Sequence, residues 1–192
     1  MMEINVGYKL QQLRKEQGKS LRELSKLSDI SANAISLIER NKNSPTIATL
    51  TKLILALNAN FTFLFEEEEV SDVIYIRNNT RPHIESKNSK VKLESLGTGL
   101  QNQNIEPLIA FLGKGANSGK KFITHQGSEL IYCLEGEVEF GIDGKTYILE
   151  SGDSLFFNGI KPHKWKNASK NKSKVLAIMA TQHWLKKKSV SA

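Results

Sequence analysis

The side chains of this chain that could do chemistry are mostly basic and polar. Lys and Arg number 27 against 20 Asp and Glu, which gives a formal net charge of +7 over 192 residues. This balance favours an anionic partner. Cys133 is the only cysteine, so the sequence excludes a disulfide framework and a cysteine-based zinc site. The composition therefore favours binding chemistry over thiol chemistry.

Residues 20–40 have the spacing of two short helices joined by a tight turn. Ser20 and Glu23 match a capping box, which predicts that a helix starts at Ser20. Its apolar face is predicted from Leu21, Leu24 and Leu27. Short polar side chains interrupt the pattern at residues 28–30, and Ser31 can cap a second helix. The buried stripe of that helix is predicted from Ala34, Ile35 and Ile38. This is the pattern of a helix-turn-helix, whose second helix lies in the DNA major groove.

The same region resembles the DNA-binding domain of the Xre family over residues 5–65. Four motifs match in order: Arg14 in the first helix, LREL at residues 21–24, SLIER at residues 36–40, and Pro45 with Thr46. One departure is Lys19, where many members have Leu. Apolar spacing predicts helix one at residues 5–17 and a helix four that starts at Thr46, with Ile47, Leu50 and Leu53 on its buried face. A short helix five at residues 61–65 would close a bundle of five short helices.

The Xre resemblance also implies which residues meet DNA. Base edges would be contacted by Ala32, Asn33, Ser36 and Leu37. Of these, the Asn33 amide can bind an adenine through two hydrogen bonds. Phosphate contacts are expected from Arg22, Arg40, Lys42, Asn43 and Thr46. The alternative is that these are ordinary solvated polar residues.

After an acidic run at residues 66–69 the pattern changes from helices to strands. The predicted strands cover residues 74–76, 91–96, 107–112, 122–125, 129–134, 137–142, 146–149, 154–157, 164–166 and 174–180. Asp143 and Gly144 supply a hairpin turn between two of them. Short strands at regular spacing predict a sandwich or barrel of the jelly-roll type.

Two stretches of this second half resemble the two motifs of the cupin family, within residues 73–184. The first motif is matched by His125, Glu129 and Gly136, and the second by Gly152, Asp153, His163 and Asn167. The chain departs from the family at Ile123, which occupies the position of the first histidine. Asn158 and Ile160 depart as well, where proline and glycine are usual. We therefore expect a multidomain α + β protein, in which a five-helix helix-turn-helix bundle precedes a jelly-roll β-barrel, the cupin domain.

The cupin resemblance implies a shared site for His125, Glu129 and His163. Two histidines and one carboxylate can hold iron(II), manganese or zinc with open coordination positions. The alternative is a metal-free pocket in which these groups bind a small molecule or each other, and the apolar side chain of Ile123 favours it. The pocket lining is expected to include Phe157 and Trp165, unless these aromatic residues are plain core. Two histidines outside the motifs, His83 and His183, are expected to be solvated or locally bonded.

The domain boundaries follow from these patterns. We expect a DNA-binding domain at residues 1–66, a linker at 67–72, the cupin domain at 73–185 and a basic tail at 186–192. No apolar run approaches the ~20 residues of a membrane helix, and the N-terminal residues do not match a signal peptide. A cytoplasmic protein without membrane contact is therefore expected.

Three classes of function compete for this sequence. The first is a transcriptional regulator whose cupin barrel binds a small-molecule effector, the second a cupin dioxygenase or isomerase with an accessory DNA-binding domain, and the third an antitoxin. The helix-turn-helix and the missing first histidine disfavour an enzyme, and an antitoxin would not need the barrel. We therefore expect a non-enzymatic regulator. We also expect a homodimer, joined through the β domain, that reads a two-fold symmetric operator in double-stranded DNA.

Overall fold

The structure, a computed structural model, describes residues 5–59, 62–65, 71–86, 88–100 and 103–180. Five α-helices lie in the N-terminal part of these ranges: α1 Val6–Glu16, α2 Leu21–Ser28, α3 Ala32–Glu39, α4 Ile47–Ala56 and α5 Thr62–Phe65. The first four begin after caps whose side chains accept a backbone hydrogen bond, namely Asn5, Ser20, Ser31 and Thr46. The capping box of Ser20 and Glu23 is complete. The predicted helix starts are therefore confirmed.

The turn between α2 and α3 takes three residues. Asp29 ends α2 in the left-handed region, with a φ of 56°, and Ser31 then caps α3. An aspartate tolerates this backbone conformation better than most residues with a Cβ. The predicted helix-turn-helix is thus present, with α3 as its second helix.

The helices share one apolar core. Its buried members are Leu10, Leu24, Ile35, Ile38, Leu50, Leu53, Ile54, Leu57, Leu64 and Phe65. The expectation for Leu27 was wrong, because this side chain is 60% exposed. Ser28, four residues after Leu24, is buried in its place, and its hydroxyl donates a hydrogen bond of 2.7 Å to the Leu24 carbonyl oxygen.

The strands of the described C-terminal residues form two antiparallel sheets. They are β1 His83–Ser86, β2 Val91–Ser95, β3 Ile105–Leu112, β4 Ser128–Glu135, β5 Glu137–Ile142, β6 Lys145–Glu150, β7 Ser154–Asn158, β8 His163–Asn167 and β9 Ser173–Ala180. One sheet has the order β1-β2-β3-β9-β4-β7 and the other β6-β5-β8. The inner faces enclose a core that includes Val91, Ile131, Cys133, Val138, Phe140 and Val175. This is the predicted jelly roll, and Asp143 and Gly144 form the hairpin turn between β5 and β6 with φ of 50° and 79°.

Two strand expectations were wrong, and one strand was not expected. Residues 74–76 form no strand, and Tyr75 there is 80% exposed. Residues 122–125 contribute only an isolated bridge between Ile123 and His163. The sequence pattern also missed β1, whose half-polar sequence HIES pairs at the sheet edge with β2. His83 in β1 is buried rather than solvated. The acidic run at residues 66–69, His183 and the tail at 186–192 lie outside the described residues.

The two halves of the chain pack against each other through α4. Ile47, the first residue of α4, belongs to the barrel core. In the reverse direction, Ile84, Leu108 and Met179 of the barrel pack into the helical core. The loop between α3 and α4 is also held, because Ser86 Oγ donates to the Pro45 carbonyl oxygen at 2.7 Å and Asn88 Nδ2 donates to that of Ser44 at 2.6 Å.

Candidate functional site

Helix α3 has one face toward solvent and one toward the helical core. Asn33 is exposed, and the other residues predicted to meet base edges are half-buried: Ala32, Ser36 and Leu37. At 100° per residue these four positions lie on one side of the helix. The buried Ile35 and Ile38 lie on the other side of the helix, and the buried Glu39 is its last residue. The structure therefore brings the four predicted residues onto one outward face.

A buried ion pair between Arg14 of α1 and Glu39 fixes α3. Arg14 Nε lies 2.7 Å from Glu39 Oε1, and the second terminal nitrogen lies 2.8 Å from Oε2, which is a two-pronged contact. The remaining terminal nitrogen of Arg14 donates to the Lys19 carbonyl oxygen at 2.8 Å. The hydrogen bond to Glu39 raises the pKa of Arg14, against the effect of burial. Sequence reasoning named Arg14 as a family motif residue but did not predict this contact.

The residues predicted to contact phosphate surround α3. Arg22, Arg40, Lys42 and Asn43 are exposed. Thr46 is half-buried, and its hydroxyl oxygen already accepts a hydrogen bond from the Thr49 amide at 3.1 Å as the cap of α4. Arg40 donates one hydrogen bond to the Ser36 carbonyl oxygen at 3.1 Å, which keeps it close to α3.

A cavity of about 100 Å³ lies between the two sheets. Most of its lining is apolar, including Leu93, Leu112, Ile123, Ile131, Phe140, Trp165, Val175, Ala177 and Met179. The polar lining residues are Thr51, His125, Glu129 and His163. The three predicted site residues therefore share one cavity, although they come from β4, β8 and the loop before β4.

Hydrogen bonds between the backbones of neighbouring segments place these three residues. The bridge of Ile123 to His163 joins the loop to β8, and the His125 amide donates to the Gly159 carbonyl oxygen at 2.9 Å. A Cβ at position 159 would overlap the His125 ring, so glycine is needed there. His125 Nε2 lies 3.2 Å from Glu129 Oε2, and His163 Nε2 lies 3.7 Å from the same oxygen.

Both imidazoles are oriented by backbone carbonyl groups. His163 Nδ1 lies 2.8 Å from the Lys161 carbonyl oxygen and His125 Nδ1 lies 3.1 Å from that of Gln126. A carbonyl oxygen only accepts, so each Nδ1 carries a hydrogen and each Nε2 faces Glu129. Burial lowers the pKa of His125, but the hydrogen bonds to Glu129 and Gln126 outweigh it and leave the pKa raised. For His163 burial dominates and the pKa is lowered.

The donor set fits a divalent cation. One ligand atom from each of His125, Glu129 and His163 lies within 4.8 Å of the others. An Nδ1–H that donates to a carbonyl oxygen is the usual support for a metal-binding imidazole. A bound cation would supply a Lewis-acidic centre for an oxygen-bearing ligand. Without a cation, His125 and Glu129 form an imidazolium–carboxylate pair, because a hydrogen bond from His125 Nε2 to Glu129 requires a second ring proton. His163, whose pKa is lowered by burial, lies beside this pair.

The two aromatic residues predicted to line the pocket differ in placement. Trp165 lines the cavity. Phe157 does not; its ring packs against those of His163 and Phe140, with 5.0 Å and 6.3 Å between ring centroids. Sequence reasoning missed Ile47 and Thr51 of α4, which also line the cavity. The helical spacing of Ile47 predicted burial in the bundle and held no sign of contact with the barrel, and Thr51 was not among the residues predicted to be buried.

Comparison with known proteins supports this architecture. A family model for the helix-turn-helix matches residues 10–64, and one for the cupin domain matches residues 109–179. The chain is 33% identical over 163 residues to the HTH-type transcriptional regulator PuuR of Escherichia coli strain K12, covering 85% of this chain and 88% of PuuR. The chain belongs to the Xre-type helix-turn-helix transcriptional regulators with a cupin domain. The HTH-type transcriptional regulator SutR of the same organism is 26% identical over 159 residues, covering 82% of this chain and 84% of SutR. This cupin-domain regulator is thus a DNA-binding protein.

Solved structures show the same fold. An HTH_3 family transcriptional regulator from Vibrio cholerae superposes with a TM-score of 0.70 at 24% identity, covering 92% of this chain and 94% of that one. The crystal structure of FeII HppE superposes with a TM-score of 0.51 at 18% identity, covering 92% and 98%. At these identities the likeness concerns the fold alone. Of the described helices of the regulator, none is long and apolar enough to cross a membrane.

Proposed function

We propose that this regulator is a one-component sensor, whose affinity for DNA is set by a small molecule bound in the barrel cavity. The cavity that contains His125, Glu129 and His163 supports this most directly. It combines a long apolar wall with one cluster of polar groups, which is the usual make-up of a small-molecule site. Because the barrel is fused to a helix-turn-helix, ligand binding in the cavity can change the affinity for DNA.

On the DNA side, α3 enters the major groove and its outward face reads bases. Asn33 is the main base reader, and Ala32 and Leu37 make apolar contacts, for instance with a thymine methyl group. Phosphates are bound by the exposed side chains that flank α3, Arg22, Arg40, Lys42 and Asn43. Thr46 would also contact a phosphate, in addition to accepting the capping hydrogen bond from the Thr49 amide.

In the cavity, the effector is an organic molecule whose polar end meets Glu129 and the two histidines. Ile123 lines the cavity where the cupin motif has a histidine, so the donor set for a metal lacks one member of the family pattern. A divalent cation held by His125, Glu129 and His163 is the second candidate, since the orientation of both rings suits one. Metal analysis of the purified protein with a turnover screen separates a metal-dependent enzyme from a metal-free sensor.

The regulator would act as a homodimer joined through the outer face of the six-stranded sheet. An apolar row crosses strands β7, β4, β9 and β3 on that face through the paired residues Phe156, Leu130, Ile178 and Pro107. Phe156 is 72% exposed, and β7 is an edge strand, which commonly pairs or is covered. A second copy of the chain would cover this face, because a two-fold symmetric operator is bound by a dimer.

The test of the sensor combines operator mapping with pocket variants. Genome-wide mapping of bound DNA identifies the operator, and metabolites related to the neighbouring genes are then screened for an effect on operator affinity. Glu129→Ala and His163→Ala should bind the operator nearly as tightly as the wild type without effector, yet lose the response to it. The response corresponds to a coupling of about 1–3 kcal/mol. Glu150→Ala, on the exposed side of β6, is the control. An equal effector response in all four proteins would place the sensor elsewhere.

A further inference from the structure

The wall of the barrel cavity includes residues of the DNA-binding half. Ile47 and Thr51 lie one turn apart on α4, and both line the cavity with His125, Glu129 and His163. Ile47 is 7% exposed and Thr51 8%, so both are buried at the junction of the two halves. Thr51 Oγ1 donates to the Ile47 carbonyl oxygen at 2.8 Å, which satisfies the hydroxyl within the helix. Part of the cavity wall is therefore formed by a helix and not by a strand.

The size of the cavity bears on how a ligand can enter. Sites for organic ligands usually measure about 300–1,000 Å³, whereas this cavity measures about 100 Å³. The cavity is partly open, so a ligand larger than about 100 Å³ either extends through the opening or displaces part of the wall. The strands are held by backbone ladders on both sides of β9 and β4, with one irregularity in the β4–β9 pairing between Cys133 and Glu135. The wall from α4 is held by side-chain packing and a few hydrogen bonds, so it yields first.

A shift of α4 would displace α3 directly. Leu50 and Ile54 of α4 share one packed core with Ile35 and Ile38 of α3. The loop between the two helices contains Lys42 and Asn43, and it is tied to the barrel by the hydrogen bonds of Ser86 and Asn88. Close-packed cores transmit such shifts because they hold few voids that could absorb them.

We propose that the effector site is composite: Ile47 and Thr51 of α4 contact the bound ligand, and its entry shifts α4 and with it α3 within a single protomer. This inference rests on the proposed sensor function. It identifies the ligand class as an organic molecule larger than the cavity, with an apolar body against α4 and a polar end at Glu129. It also makes α4 the route of coupling, independent of any rotation between two protomers.

Xenon tests the composite wall in the full-length protein, since it binds apolar cavities without a specific partner. The probe is dissolved xenon, and the readout is the carbon-13 chemical shift of isoleucine δ1 methyl groups. Saturable shifts are expected at Ile47, Ile123 and Ile131, with one common apparent affinity. Ile148 on β6, 58% exposed and outside the cavity lining, is the control and should not shift. Saturable shifts at Ile123 and Ile131 without one at Ile47, or no saturable shift at any of the three, would overturn the composite wall.

A cavity-filling variant tests the coupling without knowledge of the effector. Ala177→Leu places a larger side chain into the cavity from β9, and it should change the operator dissociation constant at least about fivefold, the lower end of usual allosteric effects. Thr146→Leu places the same leucine side chain at an exposed position of β6 and should leave the dissociation constant unchanged. If Ala177→Leu does not fold, Val175→Ile adds a single methylene to the same cavity and is used instead.

The outcomes separate this inference from the proposed function. A cavity-filling variant that folds and binds the operator within twofold of the wild type would overturn the coupling through α4. A wild-type protein without sequence-selective DNA binding would instead overturn the proposed function. Restoration of wild-type affinity by Ile47→Ala in the Ala177→Leu background would support a shared wall, because the smaller side chain makes room for the larger one.

Discussion

Asn33 is the single residue on which the proposed reading of DNA depends most. It is exposed at the start of α3, and its amide can pair with an adenine edge. We expect Asn33→Ala to weaken operator binding by about 1–3 kcal/mol, the value of one good base contact, and to relax sequence preference. Lys42→Ala should weaken all DNA about equally and lower the salt slope by about 1. Titrations of operator and scrambled DNA at several salt concentrations measure both; unchanged affinity and selectivity in Asn33→Ala would contradict this placement of α3.

The buried carboxyl group of Glu94 in β2 allows a prediction of how the stability of the protein depends on pH. It is buried, with Lys92 Nζ at 2.8 Å and a terminal nitrogen of Arg81 at 3.4 Å. Burial raises the pKa of Glu94, but the hydrogen bonds and charges of Lys92 and Arg81 outweigh it, so the pKa lies below its ordinary value of 4.5. A carboxyl group with a depressed folded-state pKa stabilises the protein above its unfolded pKa, and this stability is lost as the pH falls through the folded pKa.

The prediction concerns the variant Glu94→Gln. We expect a lower free energy of unfolding than in the wild type at pH 7, with a difference that stays constant down to about the ordinary value of 4.5 and shrinks below it. Urea unfolding at a series of pH values measures this difference. Glu85→Gln, an exposed position of β1, is the control. A difference that grows on acidification would contradict the assigned direction of the pKa shift.

At the scale of elements, the Arg14–Glu39 pair joins α1 to the recognition helix α3. Both side chains are buried, so removing one partner leaves an uncompensated charge in the core. We expect Arg14→Ala to lower the free energy of unfolding of the helical part by about 3–5 kcal/mol, as found for broken buried pairs. The apolar double variant Arg14→Met with Glu39→Leu should recover most of this loss. Denaturation followed by circular dichroism is the measurement, and a loss below about 1 kcal/mol, typical of surface pairs, would contradict the argument.

Helices were predicted from the sequence more completely than strands, for a physical reason. Caps such as Ser20 and Ser31 act within four residues, so their signal is local. A strand forms only with a partner strand, and the local sequence does not show which segment that partner is. Tyr75 and its neighbours therefore have residues typical of strands but form no strand, whereas β1 forms although its sequence is half polar. The contact of Ile47 with the barrel could not be predicted for the same reason. Periodicity shows that one side of a helix is buried, but not which part of the chain buries it.

The candidate site was predictable only where motifs supplied long-range information. His125, Glu129 and His163 were brought together by the cupin resemblance, and the structure places them in one cavity. The composition and spacing of single segments could not have joined them, since β8 and the loop before β4 lie far apart in sequence. Alternation along β7 shows that Phe157 faces inward, but not that its ring packs against His163 and Phe140 rather than lining the cavity.

At the scale of the whole molecule, two routes could carry a signal from the cavity to DNA. One runs through α4 within a protomer, and the other through the geometry between protomers, because half-site spacing is fixed by the DNA. Both require that the ligand bind the DNA-competent and DNA-incompetent states with different affinities. A monomeric variant would separate the routes, since it keeps the first and removes the second. The outer face of the six-stranded sheet is where such a variant should be made.

Phe156→Glu is that variant. The side chain is 72% exposed in a single chain, so a charge there should leave the fold intact. In a symmetric dimer the same patch is used twice, and two buried carboxylates would repel each other across it. We expect the dimer dissociation constant to rise at least about 100-fold, roughly 2.8 kcal/mol, and the affinity for a full operator to fall toward that for one half-site. Ile148→Glu, which adds the same charge on β6, should change neither quantity. Sedimentation velocity and operator titration measure the two effects, and a Phe156→Glu protein that stays dimeric would show that the protomers join through another surface.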